Sequence, residues 1–431
     1  MENTERVLLV GGGGREHAIA RAVAASDATL FACASNRNPG IESLAAELET
    51  LDETDPEAVV AYAESVDATL AVVGPETPLA AGVANALDDA GVYAFAPRQA
   101  EARIETDKSF QRTFLDEHDI AGNPDYAVFE STEEACDYID GYDGDLAVKP
   151  AGLTGGKGVR VTGDQVTKPE AKQYLRDSDY DRIVLEERLV GEEFTVQAFV
   201  ANGDVRLTPA VQDHKRAYEG DEGPNTGGMG SYTAPTRTLP FMNGSDYEAA
   251  GDIIESVVDA LPEYKGVLYG QFMLTDEGPK IVEFNARFGD PEAMNTLPVL
   301  ETSFLDVLTA ARDGDTLPEL QFGERATVCK YAVPAGYPTD PEAGALVTID
   351  ADSAGDAPRF YASVDAREDG IYTTTSRSLA VVGTGETIAD AEAVAERALQ
   401  RAGDDGLRAR HDIGTPDLVQ RRIDHMAELR E

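Results

Sequence analysis

Short apolar runs alternate with helical stretches over residues 6 to about 100, and this alternation most narrows the folds open to the chain. Val7–Val10, Thr29–Cys33, Thr69–Val73 and Val92–Phe95 are such runs, with Pro56–Ser65 and Leu79–Asp89 among the stretches between them. Parallel strands need a crossover, and a helix laid on the sheet is the ordinary one. The region is therefore predicted to be a parallel βαβ sheet with helices on both faces. Such sheets receive ligands beyond the carboxyl ends of their strands. Two loops fall there, Gly11–Glu16 and Gly74-Pro75-Glu76.

The four glycines Gly11 to Gly14 invite a dinucleotide reading, which fails twice. Counting G-x-G-x-x-G from Gly11 puts Glu16 at the third glycine, and from Gly12 puts His17 there. The second strand also ends near Ser35-Asn36 rather than on an acid. What survives is either an anion site of backbone N–H groups beside Arg15 or a tight turn without ligand.

From Thr106 the pattern changes. A helix around Asp107–His118 leads to the apolar run Leu146–Lys149, a glycine-rich loop over residues 152–158, and the run Ile183–Glu186. Strand-like segments from Phe194 to about 325 read as a larger antiparallel unit, and residues 326–431 as a small α+β module. In that module Asp369-Gly370 reads as a hairpin turn. Thr387 with Asp390 reads as a capping box, and Thr415-Pro416 as an N-cap pair for a last helix packed on the core. A length of 431 residues suggests about three domains at roughly 150 residues each. The pattern divides the chain at 1–105, 106–192, 193–325 and 326–431.

Composition removes several function classes. Lys plus Arg number 36 against 80 Asp plus Glu, a formal net charge of −44. Such a chain has no basic surface for a phosphate backbone, so nucleic acid is not its partner. Recurrent apolar runs exclude disorder. Self-repulsion of this size is tolerated where salt shortens the Debye length to about 3 Å at 1 M, which points to molar intracellular salt, as in halophiles. Only nine of the basic residues are Lys, and four of them, Lys108, Lys149, Lys157 and Lys215, lie in the motifs below. Cys33, Cys136 and Cys329 stand far apart, without a metal or disulfide spacing. No run approaches the ~20 apolar residues of a membrane span, and a cytoplasmic protein without a membrane partner is expected.

The loop from Lys149 to Val159 is not a P-loop, because Ala151 stands at its first glycine and Gly158 replaces Ser or Thr. A glycine-rich loop flanked by Lys149 and Lys157 nonetheless suits a polyphosphate. Glu186 ends the next apolar strand, where a chain can offer backbone to an adenine edge and a carboxylate to ribose. Glu283 and Asn285, at i and i+2 on a strand, aim two hard oxygens at one point, with Gln271 a third donor on the preceding strand. Arg287 suits a transferring phosphoryl group. A structural salt-bridge cluster is the alternative for this segment. Gly223–Gly230 is too rich in glycine for regular structure and reads as a functional loop; His214 is given no catalytic role.

Together these residues resemble the ATP-grasp superfamily and, within it, the phosphoribosylamine–glycine ligase family, over nearly the whole chain. The landmarks run in order: Gly13-Gly14-Arg15-Glu16-His17-Ala18, Gly74-Pro75-Glu76, Lys149 with Gly156-Lys157-Gly158-Val159, Gln212-Asp213-His214-Lys215-Arg216, Gly223–Gly230, and the segment from Glu283 to Glu292. Two positions depart from the bacterial pattern, Pro150-Ala151-Gly152 and Asp107 before Lys108. The resemblance implies an N-terminal parallel βαβ domain, a two-lobed ATP-grasp domain and a small C-terminal α+β domain. It implies ligation of glycine to 5-phosphoribosylamine through a glycyl phosphate, with ATP and Mg²⁺ or Mn²⁺, by a monomer. Lys108, Lys149, Gly155, Gly156, Lys157 and Gly158 would then hold phosphates, Glu186 and Glu187 the adenine side, and Glu193 the ribose. Gln271, Glu283 and Asn285 would hold the metal. Arg287 would support the acyl-phosphate transition state and Asp213 would orient the amine. Gly14, Arg15, Glu16, Glu76 and Asn225 would receive substrate. Two other readings are a sister ATP-grasp ligase of purine metabolism and a nucleotide-binding regulator without turnover.

Overall fold

In the computed structural model, which describes residues 4–152, 158–347, 357–402 and 406–431, the N-terminal alternation becomes five parallel strands. They are β1 (Arg6–Val10), β2 (Thr29–Ala34), β3 (Glu47–Thr50), β4 (Leu70–Val73) and β5 (Tyr93–Phe95), in the order β3-β2-β1-β4-β5. Val7 to Val10 of the central strand are wholly buried, as expected for a strand covered on both faces. The order reverses beside β1, so the crevice above β1 and β4 is a topological switch point. Gly11–Gly14 opens the first helix, α1 (Gly14–Ala24), there, and Gly74–Glu76 leaves β4 beside it. Two details differ from the sequence reading. β3 is a polar edge strand, Glu-Leu-Glu-Thr, whose exposure leaves no apolar signature. The Leu79–Asp89 stretch spans parts of two helices, Glu76–Ala80 and Val83–Asp89, parted at Gly82, which takes φ +84°.

Two helices lead onward, α2 (Gln99–Thr106) and α3 (Lys108–Glu117). Asp107 separates them and caps α3, its carboxylate accepting from the Ser109 and Phe110 N–H groups. A four-stranded antiparallel sheet follows: β6 (Tyr126–Phe129), β7 (Leu146–Pro150), β8 (Arg160–Val161) and β9 (Ile183–Glu187), in the order β6-β9-β7-β8. Its apolar face, with Leu146, Val148 and Leu185, packs on Ala135, Ile139, Ala171 and Leu175 as a core separate from the main one. A larger sheet comes next, β10 (Glu192–Ala201), β11 (Asp204–Leu207), β12 (Gly266–Thr275) and β13 (Gly278–Asn285), in the order β11-β10-β12-β13.

The C-terminal module shares a sheet with this middle region. Gln212–Asp213 pairs with Gly230–Thr233, which pairs with Ala326–Pro334, and Leu379–Gly385 and Arg359–Tyr361 complete the row. The Asp213 segment and the end of the glycine-rich loop are thereby tied to C-terminal strands. Val364–Arg367 and Gly370–Thr373 form the expected hairpin, and Thr387 and Asp390 cap the helix Ile388–Ala402. Thr415 caps the last helix, α4 (Pro416–Leu429). That helix buries Leu418 and Met426, but it does more than pack. His425 Nδ1 lies 2.6 Å from Glu192 at the start of β10, and Arg422 pairs with Asp221. No helix among the described residues is long and apolar enough to cross a membrane.

Candidate active site

β13 is an edge strand, and its outer carbonyls are met by side chains rather than by another strand. Gln111 Nε2 donates to Phe284 O (3.1 Å), Arg112 Nη2 to Ile281 O and Val282 O (3.1 and 2.7 Å), and Lys149 Nζ to Val282 O (3.1 Å). The helices after the N-terminal sheet thus clamp the strand that carries Glu283 and Asn285. A cavity of about 930 Å³ opens in front of it, bounded by the N-terminal glycine turn, both antiparallel sheets and the C-terminal module.

Glu186 is the centre of a buried ion triad. Arg112 forks onto it with two bonds of 2.8 Å, and Lys149 Nζ lies 2.7 Å from Oε2. Burial alone would raise the Glu186 pKa, but Arg112 and Lys149 outweigh it and hold the carboxyl low. Its carboxylate bonds two cations and so fixes Lys149 at the wall of the cavity, which Glu186 also lines. Burial lowers the Lys149 pKa, with Glu186 opposing. Lys108, Glu187 and Glu193 also line the cavity. Glu187 Oε1 accepts from Asp125 N (3.0 Å) and Glu193 Oε2 from Gln271 Nε2 (2.7 Å). Gly155, Gly156 and Lys157 lie outside the described residues. Gly158, which follows them, is tied back by Tyr174, whose hydroxyl donates to its carbonyl at 2.9 Å.

Gln271 and Glu283 are direct partners in the β12–β13 register, and Asn285 Nδ2 lies 3.5 Å from Glu283 Oε1. Burial would raise the Glu283 pKa, but Lys215, Lys108, Lys149 and Arg287 bring it down to about 2. A carboxylate held low, with the side-chain amides of Gln271 opposite it and Asn285 two residues on, brings hard oxygen donors to one place, a set that fits a divalent cation such as Mg²⁺ or Mn²⁺. Lys215 Nζ sits 2.5 Å from Gln271 Oε1. Burial lowers the pKa of this lysine, yet Glu283, Glu193, Asp213 and Glu292 carry it above its usual value.

Asp213 faces the same space. Its Oδ1 accepts from His214 N at 2.7 Å, and burial, then the charge of Glu292, pushes its carboxyl well up, against Lys215 and Arg377. Burial also raises Glu292, which accepts from the Tyr269 hydroxyl at 3.0 Å. Gly228 packs against Asp213 at φ +107°, and an added Cβ would stand 2.7 Å from both Asp213 Oδ1 and Pro291. The glycine of that loop is there because backbone must approach a carboxylate. Arg377, from the C-terminal module, holds the loop by donating to Gly227 O (2.6 Å) and Gly228 O (3.2 Å). Asn225 lines the cavity nearby. His214 is buried, held near pKa 3 by desolvation and the neighbouring arginines, and does not line the cavity, in keeping with a structural role.

At the switch point, Gly14 opens α1 and Glu16 accepts from Gly13 N (2.7 Å) and Arg15 Nε (2.6 Å). Arg15 Nη1 donates to Phe288 O at 3.1 Å, joining the glycine turn to the segment after β13. Both oxygens of Glu16 are engaged, so this carboxylate shapes the turn. Glu76 begins the short helix after β4, with Oε2 3.7 Å from Arg287 Nε. Burial would raise Glu76, but Arg287 and Arg15 keep it ionised. Arg287 also reaches Glu105 Oε1 at 3.0 Å and Asn285 Oδ1 at 3.4 Å, while its Nε has no hydrogen-bond acceptor among the described residues.

Sequence reasoning left out Arg112, Glu105, Arg377, Glu292 and Lys215 as site residues. Lys215 and Glu292 carried a signal, since both lie in landmark segments and lysine is scarce. The other three did not, since Arg112 and Arg377 are two among 27 arginines and Glu105 is lost in an acidic chain.

A small antiparallel sheet bearing Lys149, facing a larger sheet that ends in Glu283 and Asn285, is the two-lobed arrangement of an ATP-grasp ligase. Profiles of the phosphoribosylglycinamide synthetase N domain, ATP-grasp (A) domain and C domain match residues 5–105, 106–293 and 327–416. The chain belongs to the phosphoribosylamine–glycine ligase family. It is 51% identical to the phosphoribosylamine–glycine ligase of Methanococcoides burtonii over 98% of this chain and 99% of the relative. It is 52% identical to that of Methanosarcina barkeri over 99% and 100%. A solved phosphoribosylamine–glycine ligase from Thermotoga maritima superposes with a TM-score of 0.80 at 26% identity, covering 94% of this chain and 99% of the other. The biotin carboxylase from Campylobacter jejuni shares the fold, with a TM-score of 0.74 at 11% identity over 99% of each chain.

Proposed function

We propose that this chain ligates glycine to 5-phosphoribosylamine, consuming ATP and releasing ADP, phosphate and glycinamide ribonucleotide. A single observation carries the reading. Arg287 stands at the meeting of two seats in one cavity, 3.4 Å from Asn285 Oδ1 in the metal donor set and 3.7 Å from Glu76 beside the N-terminal glycine turn.

On this reading the glycine carboxylate attacks the γ-phosphate of ATP, and the ribosylamine nitrogen then displaces phosphate from glycyl phosphate. ATP carries the activation, so the protein mainly positions reactants and neutralises charge. Lys149, fixed by Glu186, meets phosphate oxygens, with Lys108, Lys157 and the Gly155–Gly158 backbone. Glu187 lies on the adenine side, and Glu193 takes the ribose. Gln271, Glu283 and Asn285 hold Mg²⁺ or Mn²⁺, which when bound screens the repulsion between phosphate oxygens. Arg287, which lines the cavity, brings its guanidinium charge to the transferring phosphoryl group. Asp213, whose carboxyl is raised by burial and by Glu292, orients the incoming amine by hydrogen bonding. Gly14, Arg15, Glu76 and Asn225 border the phosphoribosyl seat, with Glu16 fixing the turn. The enzyme is taken to work as a cytoplasmic monomer, and its charge of −44 suits molar salt.

The deciding measurement is ADP release in molar KCl with Mg²⁺, ATP and glycine, with and without ribosylamine generated in situ. ADP formation that needs both glycine and ribosylamine is expected; ADP formation indifferent to ribosylamine would sink the reading. Glu76→Ala is expected to raise the ribosylamine KM by roughly tenfold or more, the worth of one hydrogen bond to a charged group, while the ADP Kd stays within twofold. An unchanged KM would remove Glu76 from the substrate seat.

A further inference from the structure

Glu105 lies in the last turn of α2, at the exit from the N-terminal domain, and is only 5% exposed. Its two oxygens hold consecutive residues just past β13. Oε2 accepts from the Ala286 N–H at 2.7 Å, and Oε1 lies 3.0 Å from Arg287 Nη2. The remaining contacts of Arg287 are weaker anchors. Nη1 donates to Phe288 O at 3.1 Å, Nη2 reaches Asn285 Oδ1 at 3.4 Å, Glu76 stands 3.7 Å from Nε, and the Tyr269 ring lies 5.9 Å away. Among the described residues, Glu105 alone offers Arg287 an anionic oxygen at hydrogen-bond distance. Because both its oxygens are taken by protein donors, it acts on the chemistry through Arg287 rather than on a reactant.

We infer that Glu105 is a positioning residue for phosphoryl transfer: its carboxylate fixes the Arg287 guanidinium against the cavity while its hold on Ala286 N–H keeps the Glu283–Asn285 strand end in register with it. This rests on the role given to Arg287 above. A guanidinium held in place before reaction loses less freedom in the transition state, and a small displacement from an unsupported side chain is costly in rate. The N-terminal domain thus contributes to the ATP chemistry as well as to the ribosylamine seat.

Glu105→Gln keeps an oxygen for Ala286 N–H and removes the charge facing Arg287. At saturating substrates its kcat is expected to fall at least tenfold, with the ADP Kd within threefold of wild type. On the residual turnover of Arg287→Ala, adding Glu105→Gln is expected to change kcat less than threefold, because the partner it works through is gone. A kcat loss below tenfold, a matching loss of ADP affinity, or a loss that multiplies fully onto Arg287→Ala would each overturn the inference. Where Glu105→Gln does not fold, Glu105→Asp retracts the carboxylate by one methylene. A tenfold fall in kcat with ADP affinity kept supports the positioning role, and a smaller fall overturns it. Failure of the underlying reading looks different: Arg287→Ala then keeps near wild-type turnover, or the wild-type enzyme shows no ribosylamine-dependent ADP release.

Discussion

Glu283→Ala is expected to lower glycine- and ribosylamine-dependent ADP release by at least ~10³-fold, about 4 kcal/mol of transition-state stabilisation. The effect is specific to turnover because of what surrounds the carboxylate. Lys215, Lys108, Lys149 and Arg287 all act on Glu283 and hold its pKa near 2, so the group is charged whenever substrates arrive. Without it these four cations lose the carboxylate they share, although Lys149 keeps Glu186 and Arg287 keeps Glu105. They still attract nucleotide phosphates, but they repel a divalent cation. The ADP Kd measured without metal should therefore move less than tenfold, and in the direction of tighter binding. Calorimetric ADP titration beside steady-state turnover, both in the same KCl, checks the pair of outcomes. Near-normal turnover would take Glu283 out of the metal donor set.

The second large effect is structural. Arg112→Ala removes a guanidinium that is 1% exposed and bonds Glu186 twice, the Ile281 and Val282 carbonyls, and Asn123 Oδ1 at 3.2 Å. It leaves a buried carboxylate with Lys149 as its remaining cation, takes the Arg112 donor from the Ile281 carbonyl, and leaves Val282 O to Lys149. Breaking a buried pair in this way costs about 3–5 kcal/mol. Lys149 is then drawn deeper onto Glu186, so ADP affinity should fall together with stability. Arg112→Lys should recover only part of the loss, since an ammonium cannot make the two-pronged bond. Urea unfolding at fixed KCl reads the first effect and ADP titration the second. An alanine variant within 1 kcal/mol of wild type would mean that β13 does not depend on this clamp.

Much of the fold was legible because its signals are local. The apolar runs of β1, β2, β4 and β5 are continuous where strands are covered on both faces, and the caps at Thr387 and Thr415 are spelled within four residues or fewer. β3 escaped because an exposed edge strand carries no apolar pattern. The Gly82 break escaped because only the backbone conformation, not the composition, marks it. The C-terminal helix looked like core packing by its period, yet Arg422 and His425 on it reach back to Asp221 and Glu192. Periodicity reports which face is apolar and is silent about what the polar face meets.

At the site the same division holds. By itself the sequence determined the βαβ order, the placement of two loops at strand ends, the Glu283–Asn285 spacing and the lysines that a lysine-poor chain keeps, because each depends on neighbours in sequence. Only the tertiary structure decided the partners. It gave Glu186 to Arg112 and Lys149, set Lys215 among Glu283, Glu193, Asp213 and Glu292, and placed Glu105 under Arg287. At their widest those groupings join residues 74, 77 and 182 positions apart. Which carboxylate is neutralised and which is left for a ligand depends on distance and burial, and neither is written in the order of the residues.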